Sequence, residues 1–200
     1  MQVVLASASP RRKELLHLLF DNFSIITPDC EEKAEFLCPD RFVQELSRQK
    51  ADHVFEKIKA QSALKEDYLI IGCDTIVYNE GKVLGKPRSP QHAYEMISSL
   101  SGKSHQVYSG VTLLHCSKEN EILKQVQFHS CTVVSVATLS ASEIDDYIAT
   151  KEPYDKAGGY AIQGLFAKHI SGIEGDYFNV VGLPVHALYG ALVNNFPSAL

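Results

Sequence analysis

Ser7, Ser9, Arg11 and Arg12 lie together in the stretch "SASPRR". Ser9-Pro10 is a helix-start signal, so the two arginines stand in a first helical turn. That end of a helix is already electropositive, because its first N–H groups have no partner within the helix. Each cation there costs about 0.3–1 kcal/mol. The two serine hydroxyls and the unpaired N–H groups add donors, and an arginine fork suits phosphate oxygens. This chemistry is that of an anion cradle; the alternative is a capped helix with two solvated arginines.

Asp74 stands inside the apolar run "YLIIGCDTIVY", where an unpaired carboxylate is costly. It needs a metal, a cation or hydrogen bonds. It reads as a general base or metal ligand at a strand end, or as a structural carboxylate. Thr75, next to it, donates a hydroxyl or fills a strand position. Lys50 shares a helical row with Leu46 and Val54, so it either snorkels at the rim of that stripe or reaches a phosphate. Lys86 in "GKPRSP" is on its own a loop lysine. Glu31 and Glu32 are an acidic pair in a loop, solvated or ligating magnesium. Asp155, Lys156 and Gln163 belong to "DKAGGYAIQG", whose glycines either let the backbone approach a ligand closely or make a plain loop.

Whole-chain properties narrow the partners. The net charge of −5, with no block of like charge, argues against nucleic acid and membrane surfaces. The cations that do cluster then suit a small anion. The five cysteines are odd in number, scattered and never spaced CxxC, which fits a reducing compartment better than a disulfide framework or a zinc site. The start "MQVVLAS" does not resemble a signal peptide, no apolar run is long enough to span a membrane, and the cytoplasm is the expected location. GxxxxGK[ST], GxSxG and HExxH are absent, and a cysteine-phosphatase motif around Cys116 would need arginine where Ile122 stands.

Several elements must position these residues. Val3–Leu5 reads as a buried strand leading into the helix capped by Ser9. Asp40 is expected to cap a second helix carrying Val43, Leu46, Val54 and Ile58. Tyr68–Tyr78 is a β-branched run ended by the turn "NEG". Ser89-Pro90 starts a helix that ends near Gly102. "HQVYSGVTLLHC" and "QVQFHSCTVVSVATL" read as neighbouring strands around "SKENE". Ser140 and Glu143 predict a capping box for a helix stopped by Pro153. Short strands are expected from the glycine-rich loop to Gly182, and Pro184 opens a last helix. Crossover helices together with hairpins predict an α/β chain with a mixed sheet.

Four separated pieces, "LASASPRRKELL", "GCDTIV", "GKPRSPQHAYEMISSLSGKSHQVYSGV" and "DKAGGYAIQG" with "GDYFNVVGLP", together resemble the Maf family of nucleotide pyrophosphatases from about Val3 to Pro184. The resemblance implies one domain over residues 1–200 with a Maf/inosine-triphosphate-pyrophosphatase type of fold. That fold is an elongated mixed β-sheet with flanking helices forming two lobes around a cleft. It implies hydrolysis of a nucleoside triphosphate between the α and β phosphates, with a divalent metal cation (Mg, Mn or Co). Asp74 falls on the family's proton-acceptor position. Ser7, Arg11, Arg12, Glu32, Lys50 and Lys86 fall on substrate- and metal-contacting positions, with Glu32 and Asp74 as metal ligands. Ser9 joins the substrate set as part of the cradle. Arg11, Thr75 and Gln163 match the members acting on dTTP and UTP, whereas the 7-methyl-GTP subgroup differs there. An amide such as Gln163 offers the donor and acceptor that match O4 and N3–H of uracil or thymine. Cys73 stands where alanine is usual, and Ala161 where glycine is usual. The implied partner is a small nucleoside triphosphate, without nucleic acid or membrane, and a homodimer is compatible with the family. Two other readings fit the resemblance: a nucleotide-responsive regulator of septum formation, and a pyrophosphatase for another noncanonical nucleotide.

Overall fold

The longest apolar run becomes the central strand, because a run buried on both faces pays no penalty for lacking a polar side. A computed structural model describes residues 1–29, 35, 38–61 and 66–200. Its strands are β1 (Gln2–Ala6), β2 (Ser24–Ile25), β3 (Tyr68–Asn79), β4 (Lys82–Leu84), β5 (Ser104–Cys116), β6 (Ile122–Val136) and β7 (Ile170–Glu174). The helices are α1 (Pro10–Leu16), α2 (Pro39–Gln61), α3 (Pro90–Leu100), α4 (Ala141–Ala149), α5 (Tyr177–Val181) and α6 (Val185–Asn195). The strands form one sheet in the order β2-β1-β3-β5-β6-β7, with β4 also on β3. Its pairings are parallel for β1 with β2 and β3, and antiparallel for β3 with β4 and β6 with β7. The expected mixed α/β sheet with flanking helices is therefore present.

The chain divides into two compact units. The first comprises Met1–Asp74, Ser109–Ser130 and Gly182–Leu200. Here α2 lies on the sheet through Ala51, Val54, Phe55 and Ile58, which pack with Val4, Ala6, Tyr68, Ile70, Leu114 and Cys116. Two glycines set how closely α2 sits. A Cβ on Gly72 would stand 2.4 Å from the Ser47 carbonyl oxygen, and one on Gly110 would stand 2.2 Å from that of Val43. No side chain fits beneath the helix at either point.

The second unit comprises Thr75–Tyr108 and Cys131–Val181. Its core joins Ile97 and Leu100 of α3, Ile144 and Tyr147 of α4, Val107 and Val134 of the sheet, and Tyr160 and Phe166. The "NEG" turn forms as expected, with Glu80 and Gly81 both at positive φ (46° and 83°), the geometry that a tight hairpin with the native strand twist requires. The Ser140–Glu143 capping box is present in full.

Three expectations about boundaries need correction. Asp40 does not cap α2: the helix begins at Pro39, Asp40 lies in its first turn, and the Cys38 carbonyl accepts from the Phe42 N–H at 2.9 Å. Pro153 does not stop α4 directly, because the helix ends at Ala149 and left-handed Lys151 (φ 64°) has already turned the chain. Among the described residues, the expected strands before Gly182 reduce to β7. After it Asp176 Oδ1 accepts from the Phe178 N–H at 2.8 Å and starts α5 instead.

Candidate active site

In the first unit, Gly72 and Asp74 are two residues apart on β3 and share one face. Ser47 and Ala51 of α2 rest on Gly72, so Lys50, within the same helical turn, comes level with Asp74. Lys50 Nζ donates to Asp74 Oδ1 in an ion pair whose side chains are only 12% and 11% exposed. Neither sequence reading of Lys50, a head group snorkelling at the rim or one reaching a phosphate, named this partner. Its stem lies along the apolar row and its head group meets a carboxylate.

Asp74 lies in the middle of β3 and not at a strand end as expected, and the end of β1 supplies much of the rest of this set. The parallel register pairs Ala6 with Gly72, so the chain leaves β1 at Ser7 on the level where β3 reaches Cys73 and Asp74. Ser7 is 4% exposed, and its Oγ accepts from the Ser9 N–H and from Arg12 Nη1, both at 3.2 Å. Ser9 caps α1, its Oγ accepting from the Arg12 N–H at 3.5 Å. Arg12 Nε donates to the Gly182 carbonyl at 2.9 Å, and the Cys73 thiol donates to the same oxygen at 3.2 Å. Burial pushes the Cys73 thiol's pKa up, against the pull of Arg12, which keeps it in the protonated form that can donate. Cys73, which stands where alanine is usual, thus supplies a hydrogen bond that alanine could not. It and Gly182 are the members of this set that sequence reasoning missed. Gly182 sits at φ 131°, a conformation that favours glycine, and nothing in its local sequence shows which side chain its carbonyl will meet. Arg11 is half-buried, and among the described residues it has no hydrogen-bond or ion-pair partner. Glu32, with Cys30 and Glu31, lies outside the described residues.

The second unit holds Thr75, Lys86 and Gln163. Thr75 follows Asp74 directly and is half-buried. Lys86 is exposed between β4 and α3. Its segment is tied to the glycine-rich loop, because the Gly158 N–H donates to the Gly85 carbonyl at 3.0 Å. Gln163 is exposed in a turn closed by the Gly164 N–H on the Ala161 carbonyl at 3.1 Å. The glycines of this loop answer to the protein's own packing. Gly158 and Gly159 have φ of 70° and 74°, and a Cβ on Gly158 would meet Val77 Cγ2 at 2.8 Å.

The set in the first unit can bind an anion through Arg12 and Lys50 and can take up a proton at Asp74. Among the described residues no three His, Cys, Asp or Glu side chains gather where they could hold a metal ion. Asp74 offers one hard carboxylate. Lys50 is its hydrogen-bond partner among the described residues, through Oδ1 alone. That donor set fits a hard divalent cation of the kind held by one or two carboxylates plus substrate phosphates.

Comparison with known proteins places this arrangement in a family. The model of a family described as Maf-like protein matches residues 2–195. A dTTP/UTP pyrophosphatase of Clostridium novyi (strain NT) is 47% identical over 191 residues, covering 94% of this chain and 95% of that protein. A dTTP/UTP pyrophosphatase of Carboxydothermus hydrogenoformans is 47% identical over 192 residues, covering 96% and 97%. Among solved structures, the Ham1 protein of Staphylococcus aureus aligns over 85% of this chain and 80% of its own, with a TM-score of 0.46 and 12% identity.

Proposed function

The chain belongs to the Maf family, and from that premise we propose that it hydrolyses dTTP and UTP to the nucleoside monophosphate and pyrophosphate. The observation that carries the chemistry is the buried Lys50–Asp74 pair, set beside Ser7 and Arg12 where β1 ends. Water attacks the α phosphorus, the bond from that phosphorus to the bridging oxygen breaks, and pyrophosphate departs. Asp74 takes the proton of the attacking water. Lys50 fixes the orientation of that carboxylate and, with Arg11 and Arg12, opposes the charge of the triphosphate. Ser7 holds Arg12 in place from one side and the Gly182 carbonyl from the other. Lys86 is read as a further cation for the triphosphate, and Thr75 and Gln163 as the residues that select the base. We read residues 1–200 as serving this one activity on a small-molecule substrate in the cytoplasm.

A divalent cation is the cofactor such a family implies, and Asp74 with Glu32 would hold it. When bound it supplies Lewis-acid polarisation of the phosphoryl oxygens.

The test is a panel of UTP, dTTP, CTP, GTP and 7-methyl-GTP, scored for pyrophosphate with Mg, Mn and Co in turn. The expected result is release from UTP and dTTP in the presence of at least one of these metals. Tight UTP binding without turnover, or preference for 7-methyl-GTP, would refute the proposal. Asp74→Asn, which keeps the shape and removes the base, is expected to lower turnover by about 10²–10⁴-fold.

A further inference from the structure

The turn that carries Gln163 is held at both ends by polar groups that the proposed reaction does not use. Before it stands Tyr160, 6% exposed, whose hydroxyl hydrogen-bonds His105 Nε2 at 2.7 Å. After it stands a carboxylate. Glu152 Oε2 accepts from the Leu165 N–H at 2.9 Å, and its Oε1 accepts from the Tyr147 hydroxyl at 3.0 Å. Leu165 opens a 3₁₀ helix, Leu165–His169, so its N–H is one that the helix itself leaves unpaired. Tyr147 is 3% exposed on α4, with its ring 4.9 Å from that of Phe166. Gly164 leaves room for the carboxylate: a Cβ there would stand 2.2 Å from Glu152 Oε1. Its backbone is extended, at φ −103°, so steric space rather than conformation calls for glycine at this position.

Within Ala161–Gly164, Gln163 carries the one polar side chain. The anchorage of this turn therefore has a single side chain to orient toward a ligand. We propose that Glu152 is the positioning residue that fixes Gln163 for selection of the pyrimidine base. The assignment rests on the reading of the chain as a UTP and dTTP pyrophosphatase. An amide presents a donor on one edge and an acceptor on the other. Uracil offers an acceptor at O4 and a donor at N3, and cytosine offers the reverse pattern at N4 and N3. A turn clamped by Glu152 fixes which edge of the amide faces the base. A loosened turn lets the amide rotate and accept either base. Loss of the clamp thus appears as lost discrimination, not simply as lost rate.

The experiment measures kcat and KM for UTP and CTP in the wild type, Glu152→Ala, Tyr147→Phe and Gly164→Ala. Tyr147→Phe removes the hydroxyl that orients the carboxylate and that also interacts with the Ala161 backbone, and Gly164→Ala pushes the carboxylate away. The ratio of kcat/KM for UTP to that for CTP is expected to fall about tenfold in Glu152→Ala, carried by a higher KM for UTP. It falls in the same direction by smaller factors in the other two variants. If Glu152→Ala does not fold, the other two decide. A ratio within about twofold of wild type in every folded variant, with both nucleotides slowed alike, makes Glu152 purely structural and overturns the proposal. A wild-type chain that releases no pyrophosphate from UTP removes the underlying reading, and this assignment with it. An active wild type with unchanged variant ratios removes the assignment alone.

Discussion

Gly72→Ala tests how the fold places Lys50 against Asp74. The added Cβ would lie 2.4 Å from the Ser47 carbonyl oxygen, 2.9 Å from Ala51 Cβ and 3.0 Å from the Ala51 nitrogen. Ordinary contact begins near 3.4 Å, so α2 has to retreat by about 1 Å over this turn. Two of the three obstructing atoms are helix backbone, which cannot rotate away as a side chain can. Overpacking of this kind costs about 1–3 kcal/mol. For a chain of this size that corresponds to a fall in Tm of about 2–12 °C. The same retreat draws Lys50, one residue before Ala51, away from Asp74, and a misplacement of about 1 Å costs up to about 10²-fold in turnover. Thermal melts and UTP turnover are measured side by side, with Gly172→Ala as the control, because nothing lies within 4 Å of a Cβ at that position. If Gly72→Ala melts with the control and turns over UTP at its rate, then close approach of α2 does not position the pair and the reasoning is wrong.

Two further outcomes follow from buried charge. Lys50→Met strips Asp74 of its cation and is expected to cost about 3 kcal/mol, read from the urea midpoint. Adding Asp74→Asn should restore most of that stability without restoring activity, whereas a single variant as stable as wild type would show that the pair is not buried as described. His105 is pushed down to about 4 by burial, so between that pH and its unfolded value near 6.5 the unfolded chain binds more protons. Its contribution to stability is then complete above about pH 6.5 and lost as the pH falls toward 4, by about 3 kcal/mol in all. His105→Gln should flatten this part of the stability–pH curve relative to wild type; parallel curves would refute the account.

Much of this was legible from local patterns. Ser9, Ser89 and Ser140 act as caps because the interaction is confined to three residues of chain, and spacing alone reveals it. Asp74 stood out because a carboxylate in an apolar run must have a partner, although the identity of that partner depended on where a distant helix lands. Gly72 and Gly110 gave no such signal. Their role is steric and appears only once α2 lies across them. The same holds for Glu152, an ordinary loop glutamate in sequence, whose two oxygens serve a tyrosine five residues before it and an N–H thirteen residues after it. The Gly182 carbonyl is 170 residues from Arg12, so no periodicity could pair them.

The two arginines that open the site divide the labour between them. Arg12 turns back into the protein, where Ser7 Oγ and the Gly182 carbonyl hold its guanidinium at 3.2 and 2.9 Å. Both of these oxygens are neutral acceptors, and together they orient the guanidinium. Lys50 is held differently, by a carboxylate that offsets its charge. Arg11 has no acceptor among the described residues, although it too is half-buried. A phosphate chain meeting the two arginines gains from one cation already fixed in direction and another still able to adjust. Replacing Arg12 by lysine keeps the charge but loses the fork that spans Ser7 and Gly182. Its KM for UTP should therefore rise by about tenfold or more, while Arg11→Lys is milder. Equal effects at the two positions would mean that charge alone matters and that the anchoring of Arg12 does not.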